Sequence, residues 1–354
     1  MSRDRLLGRT MRKPHFVWLL IALVPLACLA ADSAPVKPEP SVLVQLNAVR
    51  ARLVEHFALV QERCHCAGSL QARLDSELVR LSAVAGTREQ TESGALVLAA
   101  LESSLVDQLV AGKYAALDTI HESGSTLIRS KLDGSVQPMA LFVPAQNDRQ
   151  RNLPLVVMLH GADQSENELL SIPQLRRLAQ TSGAIVALPW ARGDDLKSSA
   201  AASDVYDALD ATESMLSVDR RRVYLAGLSL GGIALFKIGP QHADRWTAFL
   251  AIAGTLTTDD MQDVVRGMRG KQIFMVAGGN DSFVKPSYIK AAAAWLAQNG
   301  IESHYYEQAG GDRTFLSLDP SLERAWRDML SGVREITAPD IEMPSPQPTP
   351  SKKN

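Results

Sequence analysis

The chain has 354 residues, 46% apolar and 21% charged, with 37 basic against 39 acidic side chains and a net charge of −2. That length supports two domains, or one large domain with an appendage, and enough apolar material for a core without disulfide or metal staples. A near-neutral balance builds no field for nucleic acid or an anionic membrane, and three cysteines exclude a disulfide scaffold.

Residues 1–31 read as a signal peptide. Arg12 and Lys13 precede an apolar run from Phe16 to Ala31, and a cut after Ala30 would use the small residues Cys28 and Ala30. The run is about 16 residues and contains Pro25, short of the roughly 20 that a membrane span needs. Translation can start at Met1 or Met11. Leu26-Ala27-Cys28 resembles part of a lipobox, but Pro25 stands where an aliphatic residue is expected. The expectation is export to the periplasm or medium, with a lipid anchor on Cys28 as the weaker option. Residues 32–41, with Pro35, Pro38 and Pro40, form an extended linker. Residues 337–354 hold five prolines and too little apolar surface to offset ordering entropy, so they read as a disordered tail.

Residues 42–121 carry three helical stripes. Leu46, Val49, Leu53, Phe57 and Val60 form the first, Leu70, Leu74, Leu78 and Leu81 the second, and Leu98, Leu101, Leu105 and Leu109 the third. Gly68, Gly86 with Thr87, and Gly112 are candidate breaks, giving a small helical hairpin or bundle. Its apolar faces can pack on the second domain or on another copy of the chain. Cys64-His65-Cys66 is the unusual feature. It allows plain thiols or a local disulfide, which at a spacing of two would be strained, an intermolecular bridge, or a metal site short of ligands.

In residues 122–336 short apolar runs alternate with helical patterns, the texture of a mostly parallel sheet covered on both faces. Strands are expected at Thr126–Ser130 and Met139–Val143, around an Asp133-Gly134 turn. Others are expected at Leu155–Leu159, Ala184–Leu188, Arg222–Ala226, Ala248–Ala253, Gln272–Val276 and Glu302–Gln308. Helices are expected from Ser203, as N-cap, to Ser217, from about Gly231, at Thr258–Met268 and Pro286–Gln298, and from Ser321, again as cap, to Gly332. Gly227-Leu228-Ser229-Leu230-Gly231 sits between the strand Arg222–Ala226 and a helix, the strand–turn–helix setting of a nucleophile elbow.

Three runs carry a resemblance: Leu155 to Gly161, Asp219 to Gly232, and Ala277 to Val284. With them the chain resembles the α/β-hydrolase superfamily. In particular it is similar to bacterial secreted esterases of the polyhydroxybutyrate depolymerase, feruloyl esterase and dienelactone hydrolase kind. The resemblance covers roughly Ser125 to Gly332. It implies an α/β doubly wound, mostly parallel sheet, preceded here by the small all-α region.

Position by position, the resemblance implies that Ser229 attacks an acyl carbonyl and that the N–H groups of Leu230 and Ala162 receive the oxyanion. Asp281 takes the acid position, and His160 organises the loop beside the oxyanion hole. Trp190 and Arg192, after the second parallel strand, are candidate substrate-lining residues with His160. Asp281 follows Ser229 by only 52 positions, which fits a small or open acyl site. No cofactor or metal motif appears.

The chain departs from the pattern at the base. The family places His in the loop after the last strand; this sequence reads Ala309-Gly310-Gly311-Asp312-Arg313-Thr314-Phe315, with Arg313 there, or Asp312 under a shifted alignment. A guanidinium stays protonated and cannot take the Ser229 proton. An Arg313–Asp281 ion pair is the expectation, with His304, His242 or Asp312 as substitute bases. Two functions follow: an exported serine esterase for small acyl esters with a degenerate triad, or an inactive homologue that binds an acyl ligand in the envelope.

Overall fold

The computed structural model describes residues 41–84, 89–113, 123–145 and 152–332; the expected leader, the linker up to residue 40, the expected break at Gly86 and Thr87, and the tail lie outside them. Period-two alternation organises the centre. Leu155, Val157 and Leu159 face one side of the strand β3 (Leu153–Leu159), Val156 and Met158 the other, and all five are buried. A strand covered on both faces can be apolar throughout, which is why this run shows no polar residue.

β3 belongs to an eight-stranded sheet. Its other strands are β1 (Ser123–Arg129), β2 (Val136–Phe142), β4 (Ile185–Pro189), β5 (Val218–Leu228), β6 (Ala248–Ile252), β7 (Gln272–Gly278) and β8 (Glu302–Gln308), in the order β1-β2-β4-β3-β5-β6-β7-β8. β2 runs antiparallel to β1 and to β4, and all the remaining neighbours are parallel. One face packs on Val205, Leu235, Val264 and Ile289, from α7 (Ser199–Met215), α8 (Leu230–Ile238), α9 (Met261–Met268) and α10 (Pro286–Gln298). The other packs on Leu169, Leu175 and Trp326, from α5 (Glu166–Ser171), α6 (Pro173–Ser182) and α11 (Ser321–Ser331). Each buried aliphatic side chain contributes about 1.5–3 kcal/mol of transfer free energy.

The helical stripes form α1 (Val42–Glu55), α2 (Phe57–Cys64), α3 (Ala67–Val84) and α4 (Glu89–Ala111). Leu46, Leu53, Val60, Leu70, Leu74, Leu105 and Leu109 share one core with Leu127 of β1 and Val136 of β2, so this layer closes the antiparallel end of the sheet. The first stripe is not one helix: the chain breaks at His56 and Phe57 is exposed. Gly68 lies inside α3; the break falls instead at His65, in the left-handed region at φ 57°. Cys64 and Cys66 are joined by a disulfide across that turn.

Two caps differ from expectation. Ser198, not Ser203, caps α7 by accepting from Ala201 N, because the helix-forming alanines before Ser203 extend it backwards. Ser321 is the first residue of α11 and its hydroxyl donates to Glu307 O, which ties the helix to the end of β8 instead of capping it.

Candidate active site

The sharpest local geometry lies at the end of β5. Ser229 has φ 51° and ψ −110°, a region L-residues avoid, at a cost of about 1–3 kcal/mol. The glycines around it permit the bend. A Cβ on Gly227 would lie 2.3 Å from the Gly231 carbonyl, and one on Gly231 would lie 2.5 Å from Leu159 O and 2.6 Å from His160 O. The Ser229 N–H donates to Ile252 O at 2.8 Å, which pins the turn to β6. Its hydroxyl has no hydrogen-bond partner among the described residues.

The two amides expected to receive an oxyanion, those of Leu230 and Ala162, lie on either side of this bend. Leu230 opens α8, and the first N–H groups of a helix have no acceptor within it. The loop after β3 supplies the other. A Cβ on Gly161 would stand 3.7 Å from Ser229 Cβ, so this loop lies against the nucleophile. Gly161 N–H donates to Gln164 Oε1 (3.0 Å) and Asp163 N–H to Asp194 Oδ1 (2.9 Å), while the Ala162 N–H between them has no partner among the described residues. Gln164 and Asp194 were not foreseen; neither carries a motif, and both matter only through backbone contacts made in three dimensions.

His160 is buried, with Nδ1 2.8 Å from Gly161 O and Nε2 3.1 Å from Trp190 O. Burial pushes its pKa below the ordinary imidazole value. The neutral ring has one N–H and can donate to only one of these carbonyls, so it anchors the loop and is not the base.

Asp281 is 4% exposed. Its Oδ1 accepts from Phe283 N (2.8 Å) and Val284 N (3.0 Å), and its buried Oδ2 has no partner among the described residues. The loop after β7 is zipped to the loop after β8 by Gly279 N to Gln308 O (2.9 Å) and Asn280 N to Gly311 O (2.8 Å). β6 separates β5 from β7, so Ser229 and Asp281 leave the same sheet edge two strands, roughly 10 Å, apart.

Nothing from the described residues bridges that gap as a base. Arg313 does not pair with Asp281, contrary to expectation: its guanidinium stacks 3.7 Å from the centroid of the exposed Phe283 ring. Asp281 is covered and already oriented by two amides, whereas an exposed cation on an aromatic face keeps its hydration. Asp312 accepts from Thr314 N, Thr314 Oγ1 and Ser317 Oγ; these hydrogen bonds hold its pKa below the ordinary carboxylate value and make it a turn organiser.

The substitute histidines are too far away. His304 pairs in register with Phe274 and stacks on it at 4.6 Å, four residues and roughly 13 Å before the end of β8. His242 packs on Tyr206 beyond the far end of α8, whose nine residues span roughly 13 Å.

Trp190 and Arg192 do not line an open site. Trp190 is 6% exposed, stacked on His160 (5.4 Å between centroids) with the Arg73 guanidinium 4.8 Å over its ring. Arg192 pairs with the buried Asp204 and with Asp133 at 2.8 Å, and donates to Ser130 Oγ at 3.0 Å. A carboxylate with no exposed surface needs that cation, which leaves none for a ligand.

Solved structures share the fold. A substrate-bound fluorophosphonate-binding serine hydrolase of Staphylococcus aureus aligns at TM-score 0.50 with 13% identity, over 60% of this chain and 99% of its own. An S-formylglutathione hydrolase of the same organism aligns at TM-score 0.50 with 14% identity, over 60% of this chain and 98% of its own. The chain has the α/β-hydrolase fold. The match covers nearly all of those two hydrolases, so the remaining part of this chain is additional to the shared sheet. A bifunctional acetylxylan esterase/xylanase of Neocallimastix patriciarum is 29% identical over 147 residues, 40% of this chain and 21% of that protein, so the chain spans about a fifth of that relative's length. No protein-family model matches the chain.

Proposed function

We propose that this hydrolase-fold chain is an exported serine esterase for small acyl esters with good leaving groups, working without a histidine base. The carrying observation is Ser229, held at φ 51° against the Ala162 loop with a hydroxyl that has no partner among the described residues. In the reaction the Ser229 Oγ–acyl carbon bond forms, the ester C–O bond breaks, the leaving group departs as its anion, and the serine proton passes to water. Water then cleaves the acyl-enzyme. Proton transfer by a positioned base ordinarily contributes about 10²–10⁴-fold, so turnover is slow and confined to reactive esters. The oxyanion donors and binding supply the remaining acceleration. Export rests on the leader-like pattern of residues 1–31.

The test is labelling by a fluorophosphonate probe, located by mass spectrometry, beside hydrolysis of p-nitrophenyl acetate. The reading expects the label on Ser229 and loss of both signals in Ser229→Ala. Equal hydrolysis by wild type and Ser229→Ala would overturn it. Binding of acyl ligands with no labelling would favour the second reading, an inactive ligand-binding homologue, which the displaced Arg313 supports.

A further inference from the structure

We propose that Arg73, on α3 of the helical layer, is a positioning residue for the oxyanion loop, acting through Trp190 and His160 on the peptide that carries the Ala162 N–H. The inference rests on the hydrolase reading of Ser229 and gives the additional helical layer a role in that site.

The relay can be followed atom by atom. Arg73 is buried and its guanidinium lies 4.8 Å over the Trp190 ring. It is fixed there from two other elements: Nη1 donates to both oxygens of Glu166 on α5 (3.0 and 2.8 Å) and Nη2 to Glu102 on α4. Glu77, also on α3, accepts from Ser165 Oγ at 3.0 Å, and Ser165 caps α5. The layer therefore grips the hydrolase sheet through buried charge, where a misplaced partner is expensive.

The next link is the Trp190 ring, with the guanidinium at 4.8 Å from its centroid and the His160 ring stacked at 5.4 Å, interplanar angle 20°. Gly193, at φ 68°, leaves room for it, since a Cβ there would lie 2.8 Å from the ring. The Trp190 carbonyl and the Gly161 carbonyl sit at the two nitrogens of His160. Gly161 C=O and Ala162 N–H belong to one planar trans peptide, so they point in opposite directions. A contact that fixes Gly161 O therefore also aims the Ala162 N–H. Rotating that peptide would turn the donor away from Ser229 without altering any residue next to it. The sequence offers no hint of this, because Arg73 lies 117 positions before Trp190.

A triple variant, Arg73→Met/Glu102→Gln/Glu166→Gln, removes the cation together with both carboxylates it hydrogen-bonds, and leaves Glu77, whose carboxyl burial already favours in its neutral form. Measured on the full chain, the proposal expects fluorophosphonate labelling of Ser229 to slow by roughly 10–100-fold, the scale of a displaced oxyanion donor. Trp190→Leu, which leaves the charges in place, is expected to do the same and serves if the triple variant does not fold. His160→Ala should slow labelling comparably. Combining it with the triple variant should slow labelling no further, because both act through one element. Labelling within twofold of wild type, or effects that multiply, would overturn the proposal. If wild-type Ser229 is not labelled at all, the hydrolase reading fails. The relay is then judged by the Ala162 amide resonance, which must move in the triple variant and overturns the proposal if it does not.

Discussion

The two halves of the site are built to different standards. Around the Ser229 bend itself the close approaches are backbone to backbone: Gly227 against Gly231, Gly231 against Leu159 and His160, Ser229 N–H on Ile252 O. On the Arg313 side the backbone is equally tight, with the loops after β7 and β8 zipped together, yet the side chain at the base position stacks outward on Phe283. The contrast separates two things a catalytic site needs. The bend at Ser229 is stored in main-chain packing, whereas what the loop after β8 can offer depends on the identity of one side chain.

The comparison can be broken first on the backbone side. Gly227→Ala places a methyl group 2.3 Å from the Gly231 carbonyl, and an atom of backbone cannot step aside. The expected outcome is a loss of about 3 kcal/mol or more in urea unfolding, with Ser229 no longer labelled. An unchanged midpoint would show that the elbow is looser than described. Next in size is Arg192→Ala, which strands Asp204 without its cation. About 3 kcal/mol of stability should go, with little effect on ester turnover if Arg192 binds no ligand.

The helical layer gives a pH signature. Burial pushes the Glu166 carboxyl up to about 7, against the pull of Arg73, and burial together with Glu102 pushes Glu77 well above the ordinary value. Both groups hold protons more tightly in the folded chain than in the unfolded one. The Glu166 contribution to stability is therefore complete below about pH 4.5 and is lost as pH rises through about 7, and that of Glu77 is lost in the same direction. Arg73, Glu102, Glu168 and Arg80 face the same cluster and set its charge balance. The depressed imidazole of His160 acts in the opposite sense, adding stability as pH rises towards 6.5. Tm measured from pH 5 to 8 should fall for wild type and fall less for Glu77→Gln/Glu166→Gln; parallel curves would contradict this. The smallest effect is expected from His304→Ala. Hydrolysis should stay within about twofold of wild type, because the ring is four residues from the strand end and stacked on Phe274.

Much of this was readable where the signal is local. The alternation of Leu155 to Leu159, the Gly227-x-Ser229-x-Gly231 bend and the missing histidine all lie within a few neighbouring positions, and the solved neighbours carry the same fold. Trp190 and Arg192 were misread for the opposite reason. Their partners, Arg73 and Asp204, are set by tertiary packing, so a residue at a strand end that faces a ligand in one protein is enclosed here. The Ser198 cap was missed because several serines compete within a few residues and only the helix's alanines decide among them. The short helices α5 and α6 carried too little periodicity to be placed, yet α5 supplies Glu166 and the anchor of the helical layer.

The central claim is that the machinery around Ser229 is complete except for its base. Arg313→His tests this most directly, with p-nitrophenyl acetate turnover as the readout. An imidazole between Ser229 and the unpartnered Oδ2 of Asp281 should raise kcat by about 100-fold or more. Turnover no higher than wild type, in a variant shown to be folded, would contradict it.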